Sequence, residues 1–196
     1  MTGPLSNYKI VLASNSPRRK QMLGELGVNF EIRVPIDSDE SYPSDMNPHD
    51  IPEYLAGKKA AGLIPGLKES EILVTADTIV VLDDQIMNKP TDATDAFRML
   101  RELSGKKHEV ITGVCISDKS KSRSFKSVTD VYFKDLTDEE IQYYIDNFKP
   151  FDKAGAYGIQ EWIGFIAVRR IEGSYFNVVG LPVQKLYEEL CNFTNS

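Results

Sequence analysis

The spacing of apolar residues predicts several short strands along this chain. KIVLA (9–13) is a short apolar run typical of a buried strand, whereas VNFEIRV (28–34) alternates apolar and polar positions. EILVTADTIVVL (71–82) is the clearest strand signal, and the two aspartates after it predict a hairpin turn back through QIM. The apolar stretches HEVITGVCIS and SFKSVTDVYFKD flank the polar residues DKSK, so they predict an antiparallel pair of strands.

Helical periodicity alternates with these strands, and capping residues mark where the helices begin. One helix is predicted from Pro17, with Ser16 as its N-cap and Gly27 just past its end. The other predicted helices lie at about 51–63, at 91–103, after the capping-box sequence TDEE (137–140) and from near Pro182. PIDSDESYPSDMNP (35–48) predicts a loop. Since hairpins are interleaved with helices, we expect an α/β protein with a mixed sheet flanked by helices.

Length, charge and cysteine content bound the function. The 196 residues suit one domain, or one domain folded as two lobes, and we expect a single domain over 1–196. A net charge of −6 argues against broad attraction to nucleic acid or to an anionic membrane, and no apolar run predicts a transmembrane helix. The N-terminal sequence shows no secretory signal, and Cys115 and Cys191 are expected to be buried and reduced, which fits a cytoplasmic location.

The stretch ASNSPRRKQML (13–23) places three cations in the first turn of a predicted helix. Arg18, Arg19 and Lys20 stand where the helix dipole favours acidic side chains. A tight turn between a strand and a helix N-terminus exposes backbone N–H groups, and arginines supply forked donors that match phosphate oxygens. We therefore predict an anion site here, with arginines that point into water as the alternative. The P-loop pattern GxxxxGK[ST] is absent from the sequence.

Carboxylates in two segments are candidates for catalysis or metal binding. Asp77, in VTADTIV, lies between apolar β-branched residues, where a carboxylate is costly to bury unless it is paired or bound to a metal. An aspartate that caps a turn at the strand end is the other interpretation. The acidic loop DSDESYP holds Asp37, Asp39 and Glu40, and one or two carboxylates with substrate phosphates suffice for Mg²⁺. Spacing alone leaves open whether Glu40 meets Asp77.

Three further segments add candidates that also have plain structural readings. NKPTD places Lys89 in extended backbone before a proline, and LAGKKA puts Lys58 and Lys59 on a helix, although most lysines simply face solvent. In DKAGAYGIQEW, small residues let a ligand approach the backbone, and the amide of Gln160 both donates and accepts, as reading a base edge requires. A glycine-rich turn with a surface glutamine is the alternative.

In this order, these segments resemble the Maf family of nucleotide pyrophosphatases over essentially the whole chain. The matching segments are LASNSPRR (12–19), DES (39–41), LAGKKA (55–60), ADTIV (76–80), NKP (88–90), ITGV (111–114), DKAGAYGIQ (152–160) and GSYFNVVGLP (173–182). The resemblance implies an α/β/α fold around an elongated mixed sheet, with two lobes and a central cleft, similar to inosine triphosphatase. It also implies hydrolysis of a nucleoside triphosphate to the monophosphate and pyrophosphate.

The resemblance also implies roles for individual residues. These roles are phosphate binding by Ser14, Arg18, Arg19, Lys59 and Lys89, divalent-cation binding by Glu40 and Asp77, proton acceptance by Asp77, and base selection by Thr78 and Gln160. The implied cation is Mg²⁺ or Mn²⁺, and Asp39 is the other candidate for the ligand at Glu40. The AYGIQ form resembles the branch that acts on dTTP, UTP and modified uridine triphosphates, although Glu161-Trp162 departs from the small residue expected there. Family members often form homodimers.

Two other function classes remain open from the sequence. One is a non-catalytic nucleotide- or nucleic-acid-binding regulator of cell division or septum formation, which would have no need for a metal-competent carboxylate beside a phosphate cradle. The other is a phosphomonoesterase or phosphoryl transferase, for which pyrophosphate would not be the product. The presence of Asp77 and Glu40 favours an enzyme, and the resemblance implies that such an enzyme removes non-standard nucleotides. The net charge of −6 argues against a stable complex with nucleic acid or membrane.

Overall fold

A computed structural model describes residues 5–34 and 39–195 of the chain. Its strands are β1 (Lys9–Leu12), β2 (Phe30–Ile32), β3 (Glu71–Leu82), β4 (Gln85–Met87), β5 (Lys107–Ser117), β6 (Ser122–Phe133) and β7 (Val168–Glu172). Its α-helices are α1 (Pro17–Glu25), α2 (Ile51–Ala61), α3 (Ala93–Leu103), α4 (Asp138–Phe148), α5 (Trp162–Ala167), α6 (Tyr175–Val179) and α7 (Val183–Asn195). Short 3₁₀ turns lie at Pro48–Asp50, Ile64–Gly66 and Ala154–Ala156.

The strands of the described residues form one seven-stranded mixed sheet, as predicted. Its order is β2-β1-β3-β5-β6-β7, and β4 pairs with β3 beside this path. Strand β1 runs parallel to both β2 and β3, whereas the β3–β4 and β6–β7 pairs are antiparallel. Asp83 and Asp84 both have positive φ, which a tight hairpin turn requires, so the predicted β3–β4 hairpin is confirmed.

The chain divides into two compact units. Unit 1 holds the described residues within Met1–Asp77, Thr112–Ser127 and Gly180–Ser196, and unit 2 holds Thr78–Ile111 and Val128–Val179. Strands β3, β5 and β6 each contribute residues to both units, and along β3 the division falls between Asp77 and Thr78. The single domain, the elongated outline and the cleft implied by the resemblance stay predictions.

Helix α2 packs closely on the strands of unit 1. Its small residues Ala56 and Ala60 are buried in one apolar cluster with side chains of β1, β3 and β5. At Gly113 on β5, an added Cβ would lie 2.2 Å from the backbone nitrogen of Glu53. Glycine at this position therefore lets the first turn of α2 approach β5, and this packing fixes the helix that carries Lys58 and Lys59.

Helices α3 and α4 cover the strands of unit 2. Both contribute apolar side chains to a buried cluster with β3, β5 and β6, and Tyr144 of α4 is completely buried there. Helix α4 begins at the predicted capping box, in which the Thr137 hydroxyl accepts the Glu140 N–H at 3.2 Å and the Glu140 carboxylate accepts the Thr137 N–H at 3.0 Å. This start fixes which residues of α4 face the core.

The structure also departs from the sequence predictions. Strand β2 is shorter than the predicted 28–34, and the glycine- and aromatic-rich segment 154–180, for which no element was predicted, contains α5, β7 and α6. Residues 35–38 of the predicted loop, with Asp37 among them, lie outside the described residues. Cys115 is buried and Cys191 half-buried, and both are free thiols. In the described ranges, no helix has the length and apolar character to cross a bilayer.

Candidate active site

The turn between β1 and α1 is built by two serine side chains. The buried hydroxyl of Ser14 accepts the N–H of Ser16 at 3.2 Å, and the hydroxyl of Ser16 accepts the N–H of Arg19 at 3.4 Å. Ser16 is therefore the N-cap of α1, as predicted, and Pro17 opens the helix. The first turn of α1 carries no acidic residue, so no carboxylate of that turn offsets the positive charges of its basic side chains.

Arg19 makes contacts that the sequence did not predict. Its Nε donates to the carbonyl of Gly180 at 2.8 Å, and its Nη1 donates to the carbonyl of Ala76, also at 2.8 Å. Burial lowers the pKa of Arg19, while the charge of Asp77 opposes that shift. Arg19 thus holds the backbone immediately before Asp77, whereas Arg18 is half-buried on the same turn. The phosphate-binding roles of both arginines stay predictions.

Lys59 contacts two carboxylates, and their spacing in the sequence left open whether they lie close together. Its ammonium lies 2.6 Å from Asp77 Oδ1 and 3.0 Å from Glu40 Oε1. Helix α2 supplies the lysine, β3 supplies Asp77, and Glu40 comes from the loop before the 3₁₀ turn at Pro48–Asp50. The structure therefore brings Glu40, Lys59 and Asp77 together, while their roles stay predictions.

The neighbouring Lys58 holds the acidic loop by a different set of contacts. Its ammonium donates to Asp39 Oδ2 at 2.6 Å and to both the carbonyl and the hydroxyl of Ser41 at 2.9 Å. The hydrogen bond from Lys58, followed by those from Ser41, lowers the pKa of Asp39 well below its usual range. Asp39 thus pairs with Lys58. Among the described acidic residues of this loop, Glu40 is the one that contacts Lys59.

Glu40 and Asp77 form a donor pair that suits a divalent cation. Their oxygens converge on one ammonium, although one comes from a loop and the other from a strand. Carboxylate oxygens suit Mg²⁺ and Mn²⁺, and one or two suffice where substrate phosphates complete the coordination. Across residues 5–34 and 39–195, no group of three or more His, Cys, Asp or Glu side chains is arranged to hold a metal ion. Glu40 and Asp77 would supply only part of a cation's coordination, and their role as ligands stays a prediction.

The remaining predicted residues belong to unit 2. Thr78 is half-buried and directly follows Asp77 on β3, while Lys89 is exposed between β4 and α3. Gln160 is half-buried, and its Oε1 is a buried atom with no hydrogen-bond partner among the described residues. An unpaired buried acceptor costs about 1–3 kcal/mol, so this oxygen gains from any donor that a ligand brings.

A second cluster in unit 2 was not predicted from the sequence. Lys153 lies 2.7 Å from Asp152 Oδ1 and 3.1 Å from Glu161 Oε1. The hydroxyl of Tyr144 donates to the other oxygen of Glu161 and accepts the N–H of Gly158 at 3.0 Å. The signal that could have found this cluster was Glu161-Trp162, which already departs from the pattern expected after Gln160.

This chain is similar in sequence to known proteins along nearly its whole length. A family model described as Maf-like protein matches residues 9–193. A dTTP/UTP pyrophosphatase of Phocaeicola vulgatus is 55% identical over 186 residues, which cover 95% of this chain and 96% of that protein. A dTTP/UTP pyrophosphatase of Porphyromonas gingivalis is 50% identical over 198 residues and covers 100% of both chains. A solved nucleoside-triphosphatase / dITP/XTP pyrophosphatase of Mycobacterium abscessus is 14% identical with a TM-score of 0.44, covering 93% of this chain and 94% of that one.

Proposed function

Because this chain belongs to the Maf-like protein family, we propose that it is a nucleoside triphosphate pyrophosphatase acting on dTTP and UTP. The products are the nucleoside monophosphate and pyrophosphate. Relatives that share about half of their residues with this chain, over nearly its full length, carry the name dTTP/UTP pyrophosphatase. Modified uridine triphosphates belong to the proposed substrates, since a site that reads the base edge shared by uracil and thymine tolerates changes elsewhere on the ring.

The contact of Lys59 with both Asp77 and Glu40 is the observation that carries this proposal. Hydrolysis of a phosphoanhydride depends on positioning and on charge neutralisation. A binding protein would need cations for the phosphates, but it would have no need for two carboxylates directed at the same point. Neither the described residues nor the names of these relatives favour the non-catalytic regulator.

The proposed mechanism assigns tasks to the side chains around Asp77 and to Lys89 of unit 2. Asp77, oriented by its 2.6 Å contact with Lys59, takes a proton from the water that attacks the α-phosphorus, a general-base contribution of about 10²–10⁴-fold. Arg18, Arg19 and Lys59 supply positive charge to the phosphate chain, and Lys89 adds to this charge. Ser14 holds the turn that carries the two arginines. Glu40 and Asp77 would hold Mg²⁺ or Mn²⁺, which would neutralise phosphate charge and favour departure of pyrophosphate.

Base selection is assigned to Gln160 and Thr78 in unit 2. Uracil and thymine present an N3–H donor flanked by carbonyl acceptors, and a glutamine amide offers the matching acceptor and donor. Since Oε1 of Gln160 has no partner among the described residues, the amide loses no bond at that oxygen when it turns to a base. Cytosine instead presents an acceptor at N3, which would face another acceptor, so CTP should be a poor substrate.

A product-resolved substrate screen tests the proposal. Purified protein is incubated with dTTP, UTP, CTP, GTP and modified uridine triphosphates in Mg²⁺ or Mn²⁺, and both pyrophosphate and orthophosphate are measured. We expect pyrophosphate from dTTP and UTP, whereas orthophosphate would indicate a phosphomonoesterase or a phosphoryl transferase. The variant Asp77→Asn should still bind UTP but lose most turnover. Asp146→Asn, the same substitution at an exposed site on α4, is the matched control.

Three finer expectations accompany the proposal. We place the protein in the cytoplasm, where nucleoside triphosphates are available. The net charge of −6 supports the view that it makes no stable complex with nucleic acid, and binding to duplex DNA with a steep salt dependence would contradict this. The homodimer expected from the resemblance is tested by measuring the mass of the protein in solution.

A further inference from the structure

The loop that carries Gln160 is closed by an ion pair. We call residues 152–161 the Gln160 loop; Lys153 lies near its start and Glu161 at its end. Lys153 Nζ is 3.1 Å from Glu161 Oε1, and only 9% of the lysine side chain is exposed. Because water screens this pair little, it ties the two ends of the loop together more firmly than a surface ion pair would.

Tyr144 ties the same loop to α4. Its hydroxyl donates to Glu161 Oε2 and accepts the N–H of Gly158 at 3.0 Å, so one phenol joins two positions on either side of Gln160. Burial, with a smaller contribution from Glu161, raises the pKa of Tyr144, and the hydroxyl therefore remains a donor at neutral pH. Since Tyr144 is completely buried in the unit 2 core, the tie connects the loop to a rigid element.

Glu161 and the Gln160 amide lie over the same glycine. A Cβ at Gly158 would be 2.9 Å from Gln160 Nε2 and 3.0 Å from the Glu161 carboxyl carbon. Both side chains therefore occupy the space that a side chain at position 158 would take. A displacement of the Glu161 carboxylate changes the space available to the Gln160 amide.

Capping of the following helix does not account for the Glu161 carboxylate. Glu161 precedes the first residue of α5, but its side chain makes no capping hydrogen bond to that helix. Both carboxylate oxygens are instead directed to Lys153 and Tyr144. The contacts of Glu161 thus concern the Gln160 loop and its attachment to α4.

We infer that Glu161 is a positioning residue for base selection, which fixes the Gln160 amide by fastening its loop to Lys153 and Tyr144. This inference rests on the proposed function, in which Gln160 reads the edge of uracil or thymine. In this inference Glu161 acts through Lys153 and Tyr144 and not by contact with the base or the phosphates. Its loss should therefore alter which base is accepted and how tightly, and it should leave the hydrolytic step intact.

The test compares UTP with CTP in Glu161→Gln, which keeps the size of the side chain and removes its charge. We expect the ratio of kcat/KM for UTP to that for CTP to fall about tenfold, the effect of loosening one paired base contact. The fall should come from a higher KM for UTP, with kcat within about twofold of wild type. Glu188→Gln, the same change at an exposed position on α7, should leave the ratio unchanged.

A second variant keeps the inference falsifiable if Glu161→Gln unfolds. Tyr144→Phe removes only the hydroxyl and should lower the same ratio, and its melting temperature shows whether it is folded at the assay temperature. An unchanged ratio in either folded variant, or a lower kcat with unchanged KM, overturns the inference. If wild-type protein releases no pyrophosphate from UTP or dTTP, the proposed function fails and this inference with it. If wild type is active and the ratio resists both substitutions, this inference fails alone.

Discussion

Two clusters of this protein have nearly the same composition and different attachments. In unit 1, Lys59 lies between the half-buried Asp77 and the exposed Glu40, at 2.6 and 3.0 Å. In unit 2, Lys153 lies between the exposed Asp152 and the half-buried Glu161, at 2.7 and 3.1 Å. Each is a shielded lysine with one sheltered and one exposed carboxylate.

The two clusters differ in the groups that bind the half-buried carboxylate. Glu161 is also bound by the buried hydroxyl of Tyr144, which in turn holds the backbone of Gly158. Asp77 sits on β3 next to a carbonyl held by Arg19, so its backbone is fixed, and its carboxylate accepts a hydrogen bond from Lys59. The comparison teaches that a lysine with two carboxylates does not define a function. In our proposals, the further hydrogen bond makes Glu161 a positioning residue, whereas Asp77 acts on the substrate.

The largest expected effect is that of Lys59→Met on turnover. This change removes the cation that orients Asp77 and faces Glu40, and loss of one electrostatic contact at a reacting centre costs about 100-fold in kcat. Pyrophosphate release from UTP measures it. Lys119→Met, which removes an exposed ion pair with Glu69, should keep wild-type activity. A Lys59→Met enzyme with a normal kcat would contradict the catalytic role of the unit 1 cluster.

Lys153→Met should act mainly on stability. The lysine is buried, and its removal leaves Glu161 without its cation, which costs about 2–3 kcal/mol when the carboxylate keeps another hydrogen bond. Urea unfolding gives the free energy directly, again against Lys119→Met. We expect kcat at saturating UTP to stay near wild type. A loss of turnover as large as that of Lys59→Met would contradict the view that the two clusters have different functions.

Acid should weaken unit 2 through His108. Its Nε2 lies 2.8 Å from the Tyr157 hydroxyl in the Gln160 loop, and burial lowers the pKa of His108 to about 3. The folded protein therefore keeps this imidazole neutral while the unfolded chain takes up a proton below about pH 6.5, so stability is lost as pH falls from there towards 3.

At pH 5 this loss amounts to about 2 kcal/mol. Urea unfolding at pH 7.5 and 5 measures it, and His108→Gln should abolish this part of the pH dependence. His49→Gln, at the other histidine of the chain, should keep it. Equal pH dependence in all three proteins would show that His108 does not carry the effect.

The smallest expected effect is that of Lys58→Met. This lysine fastens Asp39 and Ser41 beside Glu40, but its contacts are solvent-exposed and such pairs are weak. We expect the Mg²⁺ concentration for half-maximal activity to rise about threefold, with kcat unchanged at saturating Mg²⁺. Titration of Mn²⁺ binding in the presence of a non-hydrolysable UTP analogue gives a second readout. An unchanged metal dependence would mean that Glu40 is positioned without this tie.

The sequence predicted those elements of the fold that carry a long hydrophobic run or a capping residue. β3 has the predicted bounds because a long run of apolar β-branched residues ends at Asp83-Asp84, and Ser16 and Thr137 mark helix starts because their side chains pair with backbone N–H groups. Helices α5 and α6 contain only six and five residues, too few for apolar positions to repeat. Their formation depends on packing.

The site shows the same limit. Residue type and order named Glu40, Lys59 and Asp77, but spacing could not bring them together, because their meeting depends on the packing of α2 against Gly113. It also could not choose between Asp39 and Glu40, which differ in the lysine they reach. Spacing does not connect Tyr144 with Glu161 either, and only the fold reveals that the hydroxyl of Tyr144 holds Glu161.

Arg19, at the basic start of α1, acts through the shape of its side chain as well as through its charge. Two of its nitrogens reach carbonyls at positions 76 and 180, which are far apart in sequence, so one planar side chain cross-braces three segments. A lysine would keep the positive charge but would lack the fork needed to span both oxygens. Arg19 therefore braces the backbone through the shape of its guanidinium and ties the segment before the last helix to the strand of Asp77. Phosphate binding by Arg18 and Arg19 stays a prediction.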